Sequence, residues 1–336
     1  MLATVTMVDV LEADTAALRD GAGAFRSSRD VLAVRGPDAV DYLQGQLSQD
    51  VAALAVGASA DSLLLEPDGK LSALLRVTRT DGQGFILDVD AGYGDAVEAR
   101  LRRFLLRAKV QLDSLDWRCL SLRGAGVTEV AGGLLTVLAE RGVLALPFEW
   151  NGWRGVDLLG PSDVVLGPES VDLPPGVVAC GADAVEACRI VSGVPAMGAE
   201  LTAKTIPHET GIIERTVSFT KGCYTGQELV ARIDSRGGNV PRRLVGIVAP
   251  AGPPETDALS PGMTLHAGEA PAGDGPADDK VVGTLTSAAW STEVGAWVGL
   301  GYLHRTVDAP GPARVRSGDG TGGSRPVRVA LLPLDG

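Results

Sequence analysis

After Pro241 the sequence changes character, and the change limits what this part of the chain can become. Short apolar runs at residues 244–248, 281–286, 296–303 and 327–332 are separated by loops rich in glycine and proline. Each has the length of a strand, and a run this short cannot bury an apolar face alone. Together they must close on one another, as a small β-barrel or sandwich. The longest connection, residues 250–279, is rich in Pro, Gly, Ala and acidic residues and reads as a largely mobile loop. The chain therefore divides into a region 1–240 and a carboxy-terminal β-barrel domain 241–336.

Region 1–240 mixes strand and helix patterns. A strand at 31–34 ends at Gly36-Pro37, and Pro37 suits the start of a helix whose apolar positions Val40, Leu43 and Leu47 recur at three- and four-residue spacing. Gly45 inside that helix is unfavourable by roughly 1 kcal/mol relative to Ala. Either something approaches its backbone closely, or the helix simply packs on a sheet. Runs at 62–65 and 71–77 flank Pro67-Asp68-Gly69-Lys70, a hairpin turn. A strand at 85–89 precedes a helix through Val97, Leu101, Phe104 and Leu105. The arginines around that helix (Arg100, Arg102, Arg103, Arg107) read as a solvated face rather than an anion site. Strands are expected at 110–112, 117–122, 134–138, 143–146 and 156–159, and a helix at 182–191, with Cys188 a small core residue.

Composition narrows the function classes. A hydrophobic fraction of 45% with 21% charged residues is that of an ordinary globular chain, and with aromatics at only 4% the cores must be aliphatic. A net charge of -12 argues against general binding to nucleic acid or anionic membrane. Direct tRNA contact through Arg236, Arg242 and Arg243 is left as a minority reading. The first twenty residues carry Asp9, Glu12 and Asp14 and no basic run before an apolar one, which is not a signal peptide. No apolar run reaches membrane-spanning length. Cys119, Cys180, Cys188 and Cys223 show no C-x-x-C spacing, which fits reduced thiols in a cytoplasmic protein. His208, His266 and His304 are scattered, so no resident metal site is expected. No Walker loop, H-E-x-x-H or G-x-S-x-G is present.

The densest chemistry is Lys221-Gly222-Cys223-Tyr224-Thr225-Gly226-Gln227-Glu228, followed by Arg232. Thr225 and Glu228 have the spacing of a capping box, which predicts a helix from Gly226 to about Arg232. Cys223 then lies just before a helix amino terminus, where the macrodipole and a nearby Lys221 would favour the thiolate. Spacing alone supports equally a small residue in a tight turn.

These eight residues, with Arg232, resemble the signature K-G-C-Y-x-G-Q-E-x-x-x-R of the YgfZ folate-binding family, relatives of the glycine-cleavage T-protein (aminomethyltransferase). The resemblance extends to Val34-Arg35-Gly36-Pro37-Asp38-Ala39 and the segment from Leu43 to Val51. It continues through Arg189 to Gly193, Ile206-Pro207-His208-Glu209, Gly283 to Ser287 and Gly299 to Leu303. It implies an α+β fold of GcvT/YgfZ type: two mixed α/β lobes around a central channel that takes a tetrahydrofolate-type molecule, plus the barrel. It also implies a role in assembling or repairing iron–sulfur enzymes, tRNA-modifying ones among them. Tyr224, Gln227, Glu228 and Arg232 would line or brace the region beside Cys223, with Arg189 and Glu209 as further folate-site candidates.

Departures from the T-protein pattern matter as much. Ser72 and Ala73 stand where the aminomethyltransferases carry acidic residues, one of them catalytic, and neither can act as a carboxylate base. Val191 stands where the T-protein has a glutamate that helps hold the pterin. The leading expectation is therefore an accessory protein with reduced folate and iron–sulfur client proteins as partners. Cys223, with Lys221 beside it, supplies the reactive thiolate or a transient cluster contact. The alternative is a folate-dependent aminomethyltransferase or demethylase acting on a small amine, with Glu209 or Glu214 supplying the carboxylate. A folate-sensing binding module without thiol chemistry is a third.

Overall fold

In the computed structural model, which describes residues 6–165, 173–268, 280–318 and 323–334, the strands gather into two five-stranded sheets and one closed barrel. The chain opens with α1 (Met7–Arg19), then β1 (Ala22–Ser27), β2 (Arg29–Arg35), α2 (Ala39–Gln46) and the hairpin β3 (Ser59–Leu65) and β4 (Leu71–Arg79). β5 (Gly84–Asp90), α3 (Gly94–Arg102), β6 (Gln111–Leu115) and β7 (Trp117–Arg123) follow. Helices α4 (Val127–Val130) and α5 (Gly132–Glu140) lead to β8 (Leu144–Trp150), β9 (Trp153–Pro161), β10 (Val177–Ala179) and α6 (Ala182–Val191). A 3₁₀ turn at Pro207–Thr210 precedes α7 (Ile213–Thr216) and α8 (Gln227–Asp234). The barrel strands are β11 (Arg242–Val248), β12 (Thr264–Ala267), β13 (Val281–Ser291), β14 (Ala296–His304), β15 (Gly311–Arg316) and β16 (Arg325–Ala330).

The first sheet runs β3-β4-β5-β2-β6, the second β10-β1-β7-β9-β8, and the barrel β11-β14-β13-β12-β15-β16, closed by pairing of β11 with β16. Strand alternation assigns each sheet two faces. On the first sheet, Leu32, Val34, Leu75, Val77 and Leu87 pack with Leu43, Val97 and Leu101 of α2 and α3. The opposite face puts Val31, Ala33 and Ile86 against Cys119, Leu146 and Leu159 of the second sheet. The second sheet covers its outer face, Ala24, Leu120, Leu122 and Leu158, with Val127 of α4, Leu138 of α5 and Ala131 at the junction between them. The result is helix, sheet, sheet, helix, with α6 bridging to the barrel through Ala187, Ile190 and Val191.

Between the sheets lies a buried ionic layer. Arg76 of β4 donates from Nε to Asp88 at 2.9 Å and from Nη1 to Asp157 of β9 at 2.7 Å. Asp157 also accepts from Arg123 of β7 at 2.7 Å, and Asp88 from Arg29 of β2 at 2.8 Å. Burial by itself would raise the Asp157 carboxyl; the Arg123 and Arg76 guanidiniums outweigh it and hold this group well below the usual carboxylate range.

Three expectations change. Residues 134–138 belong to helix α5, not a strand. Their apolar run is too short for periodicity to separate the two, and burial of Leu138 against β8 and β9 decides it. The run 250–279 contains strand β12, whose Leu265 fills the barrel core; residues 269–279 lie outside the described residues. Arg100 is 3% exposed, not solvated: its guanidinium donates to the Leu65 carbonyl and to Gln46, which ties α3 to the β3–β4 hairpin.

Breaking the ionic layer from one side leaves a buried charge without its partner. Asp157→Asn is expected to cost about 3 kcal/mol in chemical unfolding. Because the folded carboxyl is depressed, its stabilisation is complete above the unfolded value near 4 and is lost as pH falls below it. The variant should therefore show a shallower loss of stability between pH 4 and 2 than the parent.

Candidate functional site

The signature loop is held by the end of α2. A helix leaves its last carbonyls without intrahelical partners, and Lys221 answers one of them together with two carbonyls of the residues that follow. Its Nζ donates to the carbonyls of Gln44, Leu47 and Gln49 at 2.7, 2.7 and 2.8 Å. The Thr225 amide donates to the Gly45 carbonyl at 3.0 Å. Burial pushes the Lys221 ammonium down to about 8, so it is charged at neutral pH and all three of its N–H bonds are used. Gly45 therefore does meet a neighbouring segment, but at its carbonyl. A Cβ at Gly45 would meet nothing within 4 Å, and the open side faces Cys223.

The expected capping box does not form. α8 begins at Gln227 behind Gly226, whose left-handed φ of 85° leaves Thr225 outside the capping position. Thr225 is committed to Gly45, and the Gln227 side chain accepts from the Tyr224 amide at 3.1 Å instead. The reason lies in the β3–β4 turn. A Cβ on Gly226 would meet the Glu66 carbonyl at 2.5 Å, and one on Gly69 (φ 81°) would meet the Leu229 Cβ at 2.3 Å. The two glycines let the hairpin tip and the start of α8 touch.

Cys223 is exposed, and with Gly45, Pro67, Tyr224 and Glu228 it lines a recess of about 390 Å³. Tyr224 is buried among Leu63, Leu65, Leu71 and Val230. Glu228 and Arg232 are exposed on α8. The remaining sequence candidates lie elsewhere. Glu209 is 4% exposed and accepts from Arg242 Nε at 3.0 Å, while the Arg242 guanidinium lies 4.3 Å over the Tyr302 ring. Arg243 donates to the Val307 carbonyl, and Arg236 is exposed.

A larger cavity of about 1110 Å³ opens between the two sheets, α6 and the barrel. Of the eight residues singled out in the sequence, Arg189 alone lines it, and the cavity shares no lining residue with the Cys223 recess. Arg189 donates to Glu186, to the Val194 carbonyl, to Glu200 and to Ser287, joining α6 to the barrel. The cavity's aromatic wall is Phe25, Phe148 and Trp153, with Phe25 and Trp153 parallel at 6.3 Å and Arg123 stacked 3.7 Å over Phe148. Ser27, Arg76 and Asp157 continue the wall, and Arg215, over Trp150 at 4.3 Å, stands with Asp61 at another part of it. Neither Ser72, Ala73 nor Val191 lines the cavity, and nor do Glu209 and Glu214. Sequence reasoning missed this wall. Its nearest signal was Ser121 and Arg123, polar residues two apart in the apolar strand β7: Arg123 lines the cavity, and Ser121 lies behind Ser27 of the wall.

Comparison with known proteins agrees with this architecture. Residues 242–335 match the glycine cleavage T-protein C-terminal barrel domain. The crystal structure of glycine cleavage system aminomethyltransferase T from Bartonella henselae superposes with a TM-score of 0.76, covering 96% of this chain and 89% of that one at 21% identity. The fold is thus that of a T-protein. In sequence, the tRNA-modifying protein YgfZ of Pectobacterium carotovorum is 30% identical over 214 residues, which span 61% of this chain and 63% of the relative's length. The mitochondrial iron-sulfur cluster assembly factor IBA57 homolog of Pyricularia oryzae is 28% identical over 229 residues, spanning 62% of this chain and 53% of that protein. Residues 242–335 thus carry the T-protein barrel domain, and the chain is similar in sequence to YgfZ proteins and in fold to an aminomethyltransferase.

Among the described residues no group of three or more His, Cys, Asp or Glu side chains is placed to hold a metal ion, and no helix is long and apolar enough to cross a membrane. The four thiols differ sharply in setting. Burial pushes Cys119 up to about 12, Cys180 to about 12 and Cys188 to about 11. At pH 8 an alkylating reagent should modify Cys223 in the native protein at least about tenfold faster than the other three, as read by peptide mass spectrometry. Equal rates at all four would contradict the burial described.

Proposed function

We propose that the inter-sheet cavity binds a reduced folate and that the chain is an accessory protein in iron–sulfur cluster assembly or repair, serving client enzymes that include tRNA-modifying ones. The observation that carries this reading is a large aromatic-walled cavity inside a T-protein fold that has no carboxylate at positions 72 and 73. Pockets for ligands of this size run to roughly 300–1,000 Å³, so a folate is accommodated. Phe25, Phe148 and Trp153 offer apolar surface to a planar ring, and Ser27 and Asp157 offer polar atoms beside it. A reduced folate, when bound, supplies a ring that carries one-carbon units. This chain's residues supply its walls and exclude water.

Cys223 stands outside the cavity, open to solvent. That position suits transient contact with a cluster carried by a client protein, and the relatives named for tRNA modification and for cluster assembly support it. The thiols and the absence of any disulfide among the described cysteines accord with a reducing compartment such as the cytoplasm. Direct tRNA binding is not part of the proposal, since Arg242 and Arg243 are committed within the protein.

The fold favours one other reading, a folate-dependent aminomethyltransferase or demethylase. The carboxylates that the sequence offered for it are not at the cavity: Glu209 is tied to Arg242, and neither it nor Glu214 lines the wall. Calorimetric titration with tetrahydrofolate is expected to show binding to the parent and, within about twofold, to Cys223→Ala. The same variant should fail to restore an iron–sulfur client enzyme in cells lacking the protein. Turnover of a methylamine with tetrahydrofolate and no client would favour the transferase.

A further inference from the structure

The cavity wall contains a chain of hydroxyls whose hydrogen-bond direction is fixed. Ser121 of β7, 0% exposed, donates from Oγ to Asp157 Oδ1 at 2.6 Å. The assignment is forced, because Asp157 is held as a carboxylate by Arg76 and Arg123 and can only accept. Ser27 of β1 lies 2.6 Å from Ser121, oxygen to oxygen, and one of the two must donate. Ser121 has already spent its single hydrogen on Asp157, so Ser27 is the donor. Ser27 lines the cavity, and its own hydrogen points back into the wall. What it presents to a ligand is lone pairs only.

We infer that Ser27 is a specificity-determining residue that accepts a hydrogen bond from a ring N–H of the cavity ligand, so that the site selects reduced over oxidised folate. The inference rests on the folate reading above. In tetrahydrofolate, pyrazine-ring nitrogens carry hydrogen; in fully oxidised folic acid the same nitrogens are bare acceptors. A bare acceptor facing the lone pairs of Ser27 leaves both without a partner, and a site built for one hydrogen-bonding pattern rejects the analogue that lacks it. Ser121 acts as a positioning residue: it sets which way the Ser27 hydroxyl points.

The test is calorimetric titration of the full chain, its Ser27→Ala variant and its Ser121→Ala variant with tetrahydrofolate (kept reduced) and with folic acid, alongside thermal unfolding to verify that each variant folds. The parent should prefer tetrahydrofolate by about tenfold or more. Ser27→Ala should lose most of that preference by weakening tetrahydrofolate while leaving folic acid within about twofold. Ser121→Ala frees the Ser27 hydrogen to turn into the cavity and should narrow the preference by improving folic acid, an effect mere loosening of the wall would not produce. Unchanged preference in both variants would overturn the inference and leave the folate reading standing. Failure of the parent to bind either compound would overturn the folate reading and this inference with it.

Discussion

The bond from Arg76 to Asp157 is the one on which the two-sheet arrangement turns. It is the point where β4 of one sheet reaches β9 of the other inside a low-dielectric layer, and it brings Asp88, Arg29 and Arg123 with it. Replacing such a layer with aliphatic residues need not cost stability. What the ions contribute is geometry. They hold the sheets at a spacing that leaves the cavity beside an apolar seam of Ala33, Ile86 and Leu159, and they keep Asp157 ionised so that the Ser121 hydroxyl bonded to it has one orientation.

A second constraint operates at the signature loop, where α2 presents carbonyls that only a cation or amide can satisfy. Lys221 and Thr225 meet that need, and Gly226 meets the hairpin tip. Much of the octapeptide is therefore explained by anchoring: Lys221 caps a helix, Tyr224 fills a core and Gln227 closes its own turn. Cys223 and Glu228 are left facing outward with no such structural duty in sight. The octapeptide reads as a scaffold that displays one thiol.

Much of the fold was legible in the sequence. Residues 182–191 read as a helix because apolar positions recur at helical spacing, and the barrel because its runs are short and punctuated by Gly and Pro. The ambiguous stretch was 134–138, where four of five residues are apolar and either period fits. The candidate site was legible only in part. The octapeptide announced itself by composition, but the capping box it suggested was overridden by a tertiary contact, the approach of Gly69 and Gly226. The cavity wall gave only a faint signal, since Ser27 is more than a hundred residues from the β8–β9 hairpin that carries Phe148, Trp153 and Asp157, and the two meet only through β7.

The central claim is that ligand binding and the exposed thiol occupy different places, the inter-sheet cavity and the α2–α8 recess. Hydrogen–deuterium exchange with and without saturating tetrahydrofolate tests it most directly. The account predicts slower exchange in peptides covering residues 25–29, 147–153 and 182–189, with residues 221–228 unchanged. Protection confined to residues 221–228 would contradict it.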